Sequence, residues 1–162
     1  MNRKNVKIEI VSISAQQTWE TGRSIGKKLK EGDILALSGE LGSGKTCFTG
    51  GLARGLGVDE KYRITSPTFT LINEYPARYN LYHFDVYRIR DYSEFEDLGY
   101  EEYFCGKGVV VIEWAEKISS ILPAETISIH FEYLDENGRR IIIKCPPGRL
   151  KELTIDIKPE VV

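Results

Sequence analysis

Ile34-Leu35-Ala36-Leu37-Ser38-Gly39-Glu40-Leu41-Gly42-Ser43-Gly44-Lys45-Thr46 joins a short, continuously apolar run to a glycine-rich loop. The apolar run, residues 34–37, is what a parallel strand buried on both faces requires. The eight residues from Gly39 satisfy G-x-x-x-x-G-K-[ST]. Glycines there let successive backbone N–H groups point inward, and the helix that follows presents its positive end to the same place. That geometry binds phosphate: Lys45 reaches the β- and γ-phosphates, and the Thr46 hydroxyl is placed to ligate Mg²⁺. A helix is expected over 45–56, closed by Gly57. The strand before the loop and the helix after it are the context that separates a phosphate cradle from an ordinary turn.

On the N-terminal side of this unit, Val6, Ile8 and Ile10 alternate with polar residues and predict a strand. Ser14 with Gln17 forms a candidate capping box, opening a helix that runs to about Lys30 with Trp19, Gly22, Ile25 and Leu29 on one face. On the C-terminal side, residues 70–75 and 80–87 read as strands joined near Pro76, a hairpin. Ser93 with Glu96 predicts a second capped helix carrying Phe95 and Leu98. Val109-Val110-Val111-Ile112 is another buried strand ending in Glu113-Trp114, and the short helix after it stops at Pro123. Ile127, Ile129, Phe131 and Tyr133 alternate; Asn137-Gly138 supplies a turn; residues 141–144 return as the partner strand, and 153–157 add one more. The expected fold is α/β: a P-loop three-layer domain with a central mixed, partly parallel sheet and hairpins at the edges.

The chain has 162 residues, 41% hydrophobic and 28% charged, which suits a single domain over 1–162 and excludes disorder as its main state. There is no run of about 18 apolar residues to span a bilayer. Arg3, Lys4 and Lys7 are followed by no apolar block, so the N-terminus does not read as a secretory signal. Three scattered cysteines, Cys47, Cys105 and Cys145, suit a reducing cytoplasm and have no metal-ligand spacing. A net charge of −2 disfavours strong autonomous binding of nucleic acid.

A P-loop needs an acid at the end of a neighbouring buried strand to hold Mg²⁺, directly or through water. Glu113 has the better context, because it ends the fully apolar 109–112 run. Asp85 is the other candidate; its parity with Leu81, His83 and Tyr87 equally fits one face of a half-buried strand. Ser66-Pro67-Thr68-Phe69-Thr70 is either a nucleotide-sensing loop or turn chemistry. His83 and His130 lack companions for a metal site, and Cys47 reads as a small packed thiol.

Four blocks in this order carry a resemblance over roughly 14–140: the P-loop, Ser66-Pro67-Thr68-Phe69-Thr70-Leu71, His83-Phe84-Asp85-Val86-Tyr87-Arg88, and Ile112-Glu113-Trp114. The chain resembles the TsaE (YjeE) family, small bacterial P-loop ATPases of tRNA threonylcarbamoyladenosine biosynthesis. The resemblance implies ATP/ADP bound by Gly42, Ser43, Gly44, Lys45, Thr46 and Cys47, with Thr18 and Arg139 near the adenine. It implies Mg²⁺ on Thr46 and Glu113, and a hydrolytic site made of Lys45, Asp85 and Glu113. Family members usually carry a second Thr where this chain has Cys47, so a thiol replaces one phosphate-facing hydroxyl. The implied partners are TsaB and TsaD, which form the transferase; tRNA is met only indirectly, through that complex, and no membrane is involved. A small-molecule or nucleotide kinase built on the same P-loop is the alternative. Such kinases commonly need an arginine-rich lid, and the arginines here are dispersed. A GTP-dependent switch would carry Asn-Lys-x-Asp, which is absent from the sequence.

Overall fold

The computed structural model describes residues 4–157. Its centre is a seven-stranded sheet in the order β1-β7-β6-β2-β5-β4-β3, built from β1 (Val6–Ser12), β2 (Ile34–Gly39), β3 (Ile72–Tyr75), β4 (Leu81–Asp85), β5 (Val109–Glu113), β6 (Ile127–Tyr133) and β7 (Arg139–Cys145). β6, β2, β5 and β4 are mutually parallel, while β1, β7 and β3 join antiparallel at the two edges. The mixed sheet with edge hairpins is therefore as the sequence pattern predicts. β2 and β5 lie in the middle, and their unbroken apolar runs are buried on both faces.

Two helices, α1 (Ala15–Gly26) and α2 (Lys45–Leu56), cover one face over a core that includes Leu35, Leu37, Val109, Val111 and Ile129. The other face is closed by α3 (Tyr92–Glu96), α4 (Tyr100–Phe104) and a 3₁₀ segment, Ala115–Ile121, around Phe84, Phe95, Val110 and Ile112. A final helix, α5 (Pro147–Thr154), buries Leu150 and Leu153. Strand parity follows from this layering: Val109, Val111 and hence Glu113 face α2, as do Leu81, His83 and Asp85.

α2 has the expected bounds because glycines with left-handed backbone stand at both ends, Gly44 (φ 107°) and Gly57 (φ 103°). At α1 the Ser14 hydroxyl accepts from the Gln17 N–H at 3.1 Å, as expected. The Gln17 carboxamide, however, accepts from Ile13 N–H at 3.0 Å, one residue earlier than a reciprocal box. The helix stops at Gly26 rather than near Lys30.

Three further expectations need correction. Ser93 does not cap: Asp91 does, accepting from Ser93 N–H at 2.9 Å, and Gly99 (φ 68°) splits the expected helix into α3 and α4. β4 ends at Asp85, not Tyr87, because the Asp85 carboxylate takes the Tyr87 N–H at 2.9 Å. Residues 153–157 add no strand; Pro147 opens a helix here, and the i,i+3 pair Leu150 and Leu153 supplies its buried side.

α1 and α2 run side by side in the same direction with their backbones nearly touching. A Cβ at Gly22 would lie 2.2 Å from the Phe48 carbonyl oxygen, at Gly26 2.2 Å from that of Leu52, at Gly51 1.9 Å from that of Trp19, and at Gly55 2.1 Å from that of Arg23. Each helix thus presents a pair of glycines four residues apart, one face of a helix. This approach sets the start of α1 beside the start of α2.

Candidate functional site

The loop between β2 and α2 curls through three glycines of positive φ: Gly39 (140°), Gly42 (75°) and Gly44 (107°). An open cleft of roughly 480 Å³ lies over it, bounded by the loop, Thr46, Asp85, Glu113 and Trp114. Lys45 donates to the Gly39 carbonyl at 2.5 Å and the Glu40 carbonyl at 2.9 Å, and its ammonium sits 3.9 Å from the centre of the Trp114 ring. Burial holds this amine below the ordinary lysine range, opposed by the carboxylates of Glu113, Glu116 and Asp85. The Ser43 hydroxyl is buried and has no partner within the protein, although a buried polar group is normally paired.

The parallel register of β4 and β5 puts Asp85 directly beside Glu113, and both are 2% exposed. They have different partners. Glu113 accepts from the Thr46 hydroxyl at 2.7 Å through Oε1, and its Oε2 lies 2.5 Å from His83 Nε2. Asp85 turns to the 66–70 loop: Oδ2 accepts from Ser66 and, at 3.4 Å, from Thr68. The loop is also tied by backbone, since Asp85 N–H donates to the Leu71 carbonyl at 3.0 Å. The sequence favours Glu113, with Asp85 as the second candidate for the same role; the structure pairs Glu113 with the P-loop threonine and Asp85 with the Ser-Pro-Thr loop.

A second, smaller cleft of roughly 190 Å³ opens on the other side of Gly42 and Gly44 and brings together Thr18, Cys47 and Arg139. Thr18 is buried, its hydroxyl 2.7 Å from that of Ser12. Arg139 lies over the Tyr133 ring and donates to the Gly42 carbonyl at 3.3 Å. The Cys47 thiol points to the Ala15 carbonyl at 3.3 Å, and burial pushes its pKa upward, away from a reactive thiolate.

Residues 12–141 match the family model described as threonylcarbamoyl adenosine biosynthesis protein TsaE. The chain belongs to the TsaE family. It is 47% identical over 133 residues to the tRNA threonylcarbamoyladenosine biosynthesis protein TsaE of Treponema pallidum, covering 82% of this chain and 97% of that protein. It is 41% identical over 143 residues to the Bacillus subtilis protein of the same name, covering 88% of each. The crystal structure of YdiB from Bacillus subtilis superimposes with a TM-score of 0.76 at 35% identity, covering 94% of both chains.

All the residues that the TsaE resemblance marks for nucleotide, metal and hydrolysis thus fall in two adjoining clefts on either side of the P-loop. What sequence reasoning missed is the support beneath them. His83 is fully buried against Glu113, and Trp114 holds its ring under the Lys45 ammonium. Both stand in the quoted blocks, but only the register of β4 on β5 reveals the first contact.

The donors fit Mg²⁺ carried with a nucleotide. Among the described residues, no group of three or more His, Cys, Asp or Glu is arranged to hold an ion unaided. Thr46 and Glu113 offer one hydroxyl and one carboxylate oxygen, and the adjacent glycine loop has an unpaired Ser43 hydroxyl. Few protein oxygens next to a phosphate cradle are what Mg²⁺ takes, since it keeps water and phosphate ligands.

Proposed function

We propose that this chain is the ATPase component of the bacterial tRNA threonylcarbamoyladenosine machinery, working in the cytoplasm in complex with TsaB and TsaD. The observation that carries the reading is the convergence of Lys45, Thr46 and Glu113 on one glycine loop, in a chain whose relatives are named for that modification. Among the described residues no helix is long and apolar enough to cross a membrane, which is compatible with this setting.

In this reading the loop N–H groups and Lys45 bind the β- and γ-phosphates of ATP, and Thr46 and Glu113 hold Mg²⁺. The ion supplies positive charge that offsets the charge developing on the phosphoryl oxygens. Thr18, Cys47 and Arg139 flank the nucleoside side. Asp85, once free of the Ser66 and Thr68 hydroxyls, orients the attacking water and takes its proton at a carboxylate oxygen. The new bond is water oxygen to γ-phosphorus; the bond that breaks leaves ADP.

Lys45→Ala removes a charge-assisted contact of roughly 1.5–3 kcal/mol, so ATP affinity is expected to fall about tenfold or more. Calorimetry showing wild-type affinity in a folded Lys45→Ala protein would sink the phosphate assignment. Thr46→Ala and Glu113→Gln are each expected to lower Mg²⁺-dependent phosphate release by about 10²-fold or more, with the thermal transition retained, because each removes a proposed ligand of the ion. Normal hydrolysis by Glu113→Gln in the presence of TsaB and TsaD would transfer the metal role to Asp85. Product analysis completes the test. Free phosphate is expected from ATP, whereas a phosphorylated small molecule would mark a kinase.

A further inference from the structure

His83 lies on β4 two residues before Asp85, with no solvent exposure. Its ring reaches diagonally across the parallel register to Glu113, with Nε2 2.5 Å from Oε2. The other ring nitrogen, Nδ1, is buried and has no hydrogen-bond partner. These two facts favour the tautomer that carries its proton on Nε2. A proton on Nδ1 would bury an N–H donor with nothing to accept it, and would set the Nε2 lone pair against a carboxylate lone pair. A proton on Nε2 donates a charge-assisted hydrogen bond to Glu113, leaving only a lone pair unpaired at Nδ1.

The consequence falls on the carboxylate. Oε2 is occupied by the ring, and Oε1 alone faces the Thr46 hydroxyl, 2.7 Å away. With one oxygen pinned from behind, the carboxylate cannot rotate to present both. The ring itself is fixed by its strand and by the core around it. A ligand carboxylate that is itself hydrogen-bonded is the general pattern by which proteins orient metal-binding groups.

We propose that His83 is a positioning residue: its Nε2–H holds Glu113 so that Oε1 alone is offered to the Mg²⁺ that accompanies ATP. The proposal rests on the ATP·Mg²⁺ reading above and adds to it the residue that sets the geometry of the metal carboxylate. It also separates two neighbours on one strand, His83 supporting the metal ligand and Asp85 facing the 66–70 loop.

The test compares ATP affinity by calorimetry in EDTA and in saturating Mg²⁺ for wild type, His83→Gln and His83→Leu. Gln retains an N–H donor at about the Nε2 position; Leu fills similar volume without one. Wild type is expected to bind ATP more tightly with Mg²⁺. His83→Gln should keep most of that gain, while His83→Leu should lose roughly tenfold or more of it. Affinity in EDTA should stay within about twofold in both variants, because the phosphate cradle is untouched. A full Mg²⁺ gain in His83→Leu overturns the proposal alone. No Mg²⁺ gain in wild type overturns the ATP·Mg²⁺ reading and the proposal with it. Should His83→Leu fail to fold, the ¹⁵N spectrum of the wild-type histidines decides. The chain has two, and His130→Gln assigns them. A proton on Nε2 of His83 supports the proposal; a proton on Nδ1 overturns it.

Discussion

Gly51→Ala is expected to destabilise the protein by about 2–3 kcal/mol, while Gly50→Ala, one residue earlier in the same helix, is expected to stabilise it by up to about 1 kcal/mol. Intrinsic propensity treats the two alike. An alanine inside a helix is favoured over glycine by about 1 kcal/mol, since it loses less backbone freedom on folding. The surroundings differ. A Cβ at Gly50 would meet the Trp19 ring at 3.7 Å, an ordinary contact. A Cβ at Gly51 would lie 1.9 Å from the Trp19 carbonyl oxygen and 2.8 Å from its carbon. Those are backbone atoms of α1, which cannot rotate away, so the two helices must separate. For a chain of this length the expected shifts in Tm are a fall of roughly 4–12 °C for Gly51→Ala and a rise of roughly 2–4 °C for Gly50→Ala. Calorimetric melting of the pair reads both signs at once. Equal shifts would remove the close helix contact as a determinant of the fold. The contact matters to the site as well, because it brings Thr18 at the start of α1 next to Gly44 at the start of α2; a Cβ on Gly44 would lie 3.4 Å from the Thr18 methyl group. Spreading the helices should therefore also weaken nucleotide binding in whatever fraction of Gly51→Ala remains folded.

How much of this was legible depends on where the physical constraint sits. α2 could be bounded from sequence because Gly44 and Gly57 punctuate it with left-handed backbone, a strictly local effect. β2 and β5 could be recognised because central parallel strands are apolar on both faces. The misread segment, 153–157, shows the limit of periodicity. Leu153, Ile155 and Ile157 alternate as a strand would, yet Leu150 and Leu153 at i,i+3 after Pro147 form a helix, and Ile155 is left 68% exposed. In the site, Thr46, Glu113 and Asp85 were visible as residue types in a motif. The apolar run before Glu113 already favoured it for the P-loop; its adjacency to Asp85 was not visible, because the two are 28 positions apart in the chain and meet only through the β4–β5 register. His83 was hidden for the same reason. A lone histidine in a hydrophobic strand gives no sign of its partner until the strands are paired. The glycine pairs of α1 and α2 were visible as i,i+4 spacing, but spacing does not say what approaches.

Slow hydrolysis by the isolated chain, stimulation by about 10³-fold or more with TsaB and TsaD, and loss of that stimulation in Asp85→Ala are expected together. Asp85 is committed elsewhere in the free chain. Its Oδ2 accepts from Ser66 and Thr68, and its Oδ1 accepts from the Tyr87 N–H. Both oxygens are therefore occupied, and freeing one to meet a water requires the 66–70 loop to move. That loop carries Phe69, 81% exposed, under the Arg88 guanidinium, a contact available for exchange with a partner's surface. Among the described residues that line the cleft, Lys45 is the one cationic side chain and no arginine joins it. Lys45 is the ammonium at the cradle, while Arg139 is engaged with Tyr133 and the Gly42 carbonyl on the opposite side of the loop. In phosphoryl transfer such a missing charge or positioning group is commonly supplied in trans, with effects of about 10³–10⁵-fold. ATP affinity should change only a few-fold in Asp85→Ala, because the side chain faces the loop and not the glycine cradle. Removing it deletes the group that stimulation acts upon, so both the partner-free and the partner-bound rates of the variant should sit near the slow wild-type value. Steady-state phosphate release measured for both proteins, with and without the TsaB–TsaD pair, distinguishes the cases. Equal wild-type rates in the two conditions would end the partner-dependent mechanism, and full stimulation of Asp85→Ala would move the hydrolytic role to another group in the cleft.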